Sequence, residues 1–373
     1  MANMLDYLAW RGDLPVDRDP LNENDRLIFS QLAYVAFDRL VPSGYGDSVA
    51  LGEAASRLLA MDPEAETIHQ TSYLWEGNKR LLTALSVSAR FAPMRLSGYV
   101  SEISQEHQKQ FAALTIQPGD GSVQVAFRGT DDTLVGWKED LNMVFDAPVP
   151  AQREAVSYLC GAAALPGPLY VCGHSKGGNL AVYAAAHCPQ SVQARIVQII
   201  NHDGPGMDEQ TVASEGYARI RPRLSTYLPS FSIVGMMLEH EDTYTVVQSE
   251  NKSVLQHDAL SWQMMGARML RAEQPSEASL DASRVLRAWI ASLPREEQRL
   301  FADAVYEMAT AAHARTLSDW EDNWPASALA GFSALRALEP TKRKALERAL
   351  GSLFSVVARS IRLPWRKDEE ISE

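Results

Sequence analysis

Leu169-Tyr-Val-Cys-Gly173-His174-Ser175-Lys176-Gly177-Gly178-Asn179 is the stretch that decides the fold. Its first four residues read as a buried strand, and the residues from Gly178 to His187 read as a helix stopped by Pro189. Between strand and helix lies a G-x-S-x-G turn. Small residues two before and two after the serine avoid backbone clashes in so tight a bend. The bend lifts the hydroxyl above the sheet and places it at a helix N-terminus, where free N–H groups stabilise developing negative charge. Ser175 is therefore the candidate nucleophile; the motif taken alone also fits a turn serine without chemistry.

Working outward, Arg195-Ile-Val-Gln-Ile-Ile200 is the next strand, which makes strand, helix and strand a βαβ unit with parallel pairing and a right-handed crossover. Val123-Gln-Val-Ala-Phe127 upstream and Tyr244-Thr-Val-Val-Gln-Ser249 downstream are further strand candidates. The expected class is α/β with a mostly parallel sheet. Residues 1–95 form a mainly helical lead-in. There Asn24 is placed to cap a segment in which Leu27, Ile28, Leu32, Val35 and Ala36 recur at helical spacing, broken at Pro42-Ser-Gly-Tyr-Gly46. Short helices are expected around 50–60 and 76–90. From 266 to 373 helical periodicity returns, over 281–292, 295–313 and 341–361. The stripe Leu300, Phe301, Ala304, Val305 and Met308 is expected to pack on the α/β body. Residues 1–265 thus form the α/β body and 266–373 a C-terminal helical region ending in a frayed tail.

With 35 lysines and arginines against 47 acids the net charge is −12, the wrong sign for nucleic acid or an anionic membrane surface. Apolar residues at 46% and charged residues at 22% can fill a core, which excludes a disordered or fibrous chain. The N-terminus has acid where a signal peptide needs base. The longest charge-free stretch, Ala155 to Ser175, is broken by Pro166-Gly-Pro168 and cannot form one spanning helix. Cys160, Cys172 and Cys188 are an odd number without metal-ligand spacing, so they are expected as reduced thiols in a cytoplasmic protein.

A serine hydroxyl needs a base and a cradle for the oxyanion. The backbone N–H of Lys176 is one donor. The turn after the earlier strand, Arg128-Gly129-Thr130, is placed to supply the second, from an N–H and the Thr130 hydroxyl. The base is expected after the nucleophile, which leaves His187, His202, His240, His257 and His313. His187 falls inside a helix and His313 in the terminal helices. His257 follows the last expected strand and leads, with His240 in reserve. For the orienting acid, Asp203 sits at the carboxyl edge of the sheet, though it also reads as an Asx turn; Asp242 and Asp258 stay open. Met236, Met237 and Leu238 read as buried core or as the lining of an acyl pocket.

Phe127-Arg-Gly-Thr130, Trp137-x-x-Asp140, Gly-His-Ser175-x-Gly-Gly, a Gly-Pro loop and a late histidine together resemble the class 3 lipases. The start of the chain (Met1 to Tyr7, Trp10-Arg-Gly-Asp13, Asn22-Glu-Asn-Asp25), with His202-Asp-Gly-Pro-Gly206 and Gln256-His-Asp258, narrows this to the bacterial Mbeg-like proteins, lipase-like α/β-hydrolases. The resemblance covers about residues 1–265. It implies an α/β-hydrolase fold, with Ser175 as nucleophile, Thr130 as oxyanion residue and His257 as base. One departure stands out: where class 3 lipases carry the acid, this chain reads Ser232-Ile-Val234-Gly235, so Asp203 one strand earlier is the substitute. The expected function is cleavage of a carboxylic or lipid acyl ester with no metal or organic cofactor. A thioesterase or acyltransferase with the same triad is the alternative, as is an inactive hydrolase-like interaction module.

Overall fold

The computed structural model describes residues 2–61, 75–131, 133–238, 243–311, 330 and 333–360. His240, Asp242 and His313 lie outside the described residues, as do the tail beyond 360 and part of the expected 295–313 helix.

The chain begins with helices α1 (Met4–Arg11) and α2 (Glu23–Leu32). The cap of α2 is Asn22, not Asn24. Asn22 Oδ1 accepts from the N–H groups of Asn24 and Asp25, and the Asp25 carboxylate accepts from the Asn22 N–H, a closed capping box. Asn24 is instead buried, with its side chain donating to the Gly266 carbonyl. Then follow β1 (Val49–Ala50), α3 (Leu51–Met61) and α4 (Trp75–Val87), the two helices expected near those positions.

Two long strands that the sequence reading passed over come next, β2 (Arg95–Ser104) and β3 (Lys109–Gln117). After them run β4 (Val123–Phe127), α5 (Leu134–Phe145), α6 (Pro150–Ala162), β5 (Leu169–His174), α7 (Lys176–His187) and β6 (Ile196–His202). β7 (Leu224–Pro229), also unanticipated, and β8 (Thr245–Val247) complete one eight-stranded sheet in sequential order. Pairings β1 to β4 are antiparallel and the four from β4 to β8 are parallel. The class is the α/β fold expected.

Side chains alternate across the sheet. Val123, Val125 and Phe127 of β4 meet α6 and α7 on one face, while Ala126, Cys172 and Ile200 meet the N-terminal helices on the other. The lead-in helices are therefore one of the three layers. They are fastened by a buried ion pair: Arg90 Nε lies 2.9 Å from Asp25 Oδ1 and Arg90 Nη2 lies 2.5 Å from Asp25 Oδ2, with the Tyr7 hydroxyl donating to the same carboxylate at 2.9 Å. Helices α8 (Glu277–Ser292), α9 (Arg295–Thr310) and α10 (Pro340–Ser360) form the C-terminal region. Phe301 and Ala304 of the expected stripe are buried with Trp289 and Leu293 against Phe145 of α5, so the stripe packs on the α/β body. All three cysteines are free thiols, two of them buried. Among the described residues no helix is long and apolar enough to cross a membrane.

Candidate active site

The β5–β6 register pairs His174 with His202, so the residues that leave those strands, Ser175 and Asp203, stand side by side at the carboxyl edge of the sheet. Ser175 takes φ 57° and ψ −133°, a conformation that strains any residue but glycine by about 1–3 kcal/mol, and it opens α7 without capping it. The bend is held by the Ser175 N–H donating to the His202 carbonyl at 2.9 Å. It is also dense: a Cβ on Gly173 would lie 2.1 Å from the Gly177 carbonyl oxygen, which explains the glycine two residues before the serine. Ser175 is half-buried at the surface of this edge.

Asp203 is wholly buried with φ 53°, and its Oδ2 lies 2.6 Å from Nδ1 of His257. It does not close an Asx turn. The loop is instead held from Asn201, whose Oδ1 accepts from the Gly204 N–H three residues on, at 2.8 Å. Burial raises the Asp203 carboxyl above the usual carboxylate range; the opposing pulls are the His257 charge, the His257 and Ser232 hydrogen bonds and the Gly235 N–H. Facing an ionised carboxylate, His257 carries its proton on Nδ1 and leaves Nε2 as the acceptor. Ser175 Oγ and His257 Nε2 are not hydrogen-bonded to each other, whereas a base must come within about 3 Å of the group whose proton it takes.

The His257 segment (Ser253–His257, one short 3₁₀ turn) is fixed through its carbonyls. Trp262 Nε1 donates to the Gln256 carbonyl at 2.9 Å, and His174 Nε2 donates to the His257 carbonyl at 2.7 Å. His174 is the neighbour of His257 that sequence reasoning missed. Its Nδ1 accepts from the Tyr34 hydroxyl at 3.0 Å, and its ring centroid is 4.7 Å from that of His257. Burial, and then the neighbouring His257, hold its pKa well below the usual histidine value, so it stays neutral with one donor and one acceptor nitrogen. His202 is not a base either. It is buried on β6 with Nδ1 at 3.0 Å from Ser30 Oγ, and burial lowers its pKa to about 3. His187 ends α7 beside Thr211, and Asp258 caps the next turn through the Leu260 N–H.

Thr130 lies on the loop after β4, as expected, but its hydroxyl donates to Asp140 Oδ2 at 2.5 Å. The donor it offers an oxyanion is then its backbone N–H. Burial pushes the Asp140 carboxyl up to about 6, against the pull of Lys176. Lys176 has a free backbone N–H to offer at the start of α7. Its ammonium is buried behind the loop, 3.0 Å from Glu139 Oε2 and 2.9 Å from the Gln110 carbonyl. Gly129 sets how closely this loop approaches the elbow: a Cβ there would lie 2.1 Å from Tyr34 Oη, 2.6 Å from the His174 carbonyl oxygen and 2.9 Å from Ser175 Cβ. Gly129→Ala is therefore expected to push the loop off the elbow and to cost about 1–3 kcal/mol of stability in urea unfolding, as overpacking a filled site does. A Gly129→Ala protein as stable as wild type would contradict that geometry.

Among the described residues no group of three His, Cys, Asp or Glu side chains is arranged to hold a metal ion. No curated protein matches the chain. Among solved structures it is similar to one described as the crystal structure of M37 lipase, at 16% identity, over 57% of this chain and 69% of that one, with a TM-score of 0.35. The Mbeg1-like family model matches residues 85–307, which takes in β2 to β8, α8 and most of α9 but leaves α1 to α3, β1 and all but the end of α4 outside. That span is more than half of the 373 residues, and the chain belongs to the Mbeg1-like family.

Proposed function

We propose that the chain hydrolyses carboxylic or lipid acyl esters through an acyl-enzyme on Ser175. The observation that carries this reading is the 2.6 Å contact of His257 Nδ1 with the buried Asp203 carboxylate, next to a serine held in a strained elbow. His257 Nε2 takes the Ser175 proton as Oγ attacks the acyl carbon. The N–H groups of Thr130 and Lys176 hold the tetrahedral oxyanion, and Asp203 stabilises the imidazolium. The alcohol leaves with the proton from His257, and water repeats both steps on the acyl-enzyme.

Apolar side chains favour an acyl substrate. Val254 and Leu255 are exposed on the turn that carries His257, and Trp137 is exposed on α5 just beyond Thr130. The three free thiols fit a reducing, cytoplasmic setting. Ser175→Ala is expected to abolish turnover of p-nitrophenyl acetate and butyrate in a protein that melts like wild type. Undiminished turnover would remove Ser175 from the reaction. A thioesterase would use the same groups, and parallel assays with p-nitrophenyl esters and acyl thioesters separate the two.

A further inference from the structure

Only one oxygen of the Asp203 carboxylate serves His257. The other, Oδ1, accepts from the Ser232 hydroxyl at 2.5 Å, and the Gly235 N–H faces the same carboxylate. Ser232 is buried, in the loop between β7 and β8, and its backbone is gripped from the C-terminal region. Ser279 of α8 accepts from the Ser232 N–H at 3.0 Å and donates to the Ser232 carbonyl at 2.7 Å. The Ser276 N–H at the head of α8 donates to the Ser230 carbonyl at 2.7 Å. Between these anchors the Phe231 N–H donates to Gln256 Oε1 at 2.9 Å, one residue from His257.

We propose that Ser232 is a positioning residue for Asp203, set in place by α8 through Ser279, so that the C-terminal helices complete the site. Its catalytic meaning rests on the serine hydrolase reading above; the contacts stand independently of it. A carboxylate in a buried pocket can rotate about its own bonds. Pinning Oδ1 leaves Oδ2 aimed at the Nδ1–H of His257 and lowers the free energy of the charged form. Without the Ser232 hydroxyl, the less-stabilised anion attracts the imidazolium more strongly and takes up a proton more readily. Both effects move the acid limb in one direction, towards higher pH. The titratable groups facing this pair are His174, whose ring is tilted against that of His257 with centroids 4.7 Å apart, and Asp258 beside it in sequence.

The test is an NMR titration of the His257 ring, assigned with His257→Gln, together with kcat and KM for p-nitrophenyl acetate across pH. In Ser232→Ala the His257 midpoint and the acid limb of kcat/KM are expected to rise by ~0.5–1 pH unit, with kcat about tenfold lower and KM unchanged. Ser232→Thr, which keeps the hydroxyl, is expected to titrate like wild type. Ser279→Ala is expected to shift the midpoint the same way by less, and it decides the matter should Ser232→Ala fail to fold. Wild-type titration in both alanine variants would overturn the proposal. A shifted His257 in the alanine variants, with no esterase activity in the wild-type protein, would uphold the coupling and remove the hydrolase reading.

Discussion

Asp203→Asn is expected to lower kcat/KM for ester cleavage by about 10³–10⁴-fold in a protein of unaltered fold. The size follows from which way the amide must lie. The Oδ1 site meets the Ser232 hydroxyl and the Gly235 N–H, both donors, so the Asn oxygen takes that side. Its NH₂ then points at His257 Nδ1, where Oδ2 now sits at 2.6 Å. A ring nitrogen facing a donor must accept, which moves the ring proton to Nε2, the nitrogen that has to receive the proton from Ser175. The wrong tautomer and the loss of the charge opposite the imidazolium act together. Steady-state kinetics on the folded variant check this, and a loss of less than tenfold would mean that Asp203 does not orient the base.

The largest stability effect is expected far from Ser175, at Asp25. Its carboxylate holds Arg90, whose side chain is wholly buried and also donates to the carbonyls of Leu14 at 3.0 Å, Asp19 at 2.8 Å and Pro20 at 3.2 Å. Asp25→Ala leaves the buried guanidinium with only the partly exposed Asp19 carboxylate, 3.5 Å away and shared with Arg11, as counter-charge, at a cost of about 3 kcal/mol. It also strips the Tyr7 hydroxyl of its acceptor and opens the α2 capping box. Replacing both partners, Asp25→Leu with Arg90→Met, is expected to cost less than Asp25→Ala alone, since no bare charge remains. Urea unfolding of the three variants checks the order. A loss under about 1 kcal/mol in Asp25→Ala would show that the pair is not what fastens this layer. Activity is expected to fall with stability, because α2 and the turn after it carry Ser30 and Tyr34, which hold His202 and His174 under the elbow.

The elbow was legible because its steric demand is written in seven consecutive residues. Thr130 and Asp140 stand ten apart within one motif, yet the sequence does not say that the hydroxyl is engaged by the carboxylate. The Asp203–His257 contact joins residues 54 apart and is visible in sequence only as two positions at the same edge of the sheet. β2 and β3 escaped notice because the far half of β2, near Ser101 to Ser104, is polar and solvent-facing, and the hairpin turns through Gln108 at positive φ without the glycine or asparagine that flags such turns. β7 ends on Pro229, a residue that argues against a strand until the pairing is seen. Asn22 and Asn24 are equal candidates for a cap by composition; only the direction of the chain before the helix selects Asn22. Ser232 stands out in sequence only as the residue where an acid is expected, and Ser279 carries no signal; buried serines 47 residues apart become meaningful as partners only when the β7–β8 loop and α8 are docked.

A nucleophile primed by the His257–Asp203 pair is most directly tested by mapping the adduct of a fluorophosphonate probe by peptide mass spectrometry. The expected result is one adduct on Ser175, absent from Ser175→Ala and formed far more slowly in Asp203→Asn. An adduct on any other residue, or equal labelling of Ser175 with and without the Asp203 carboxylate, would contradict the account.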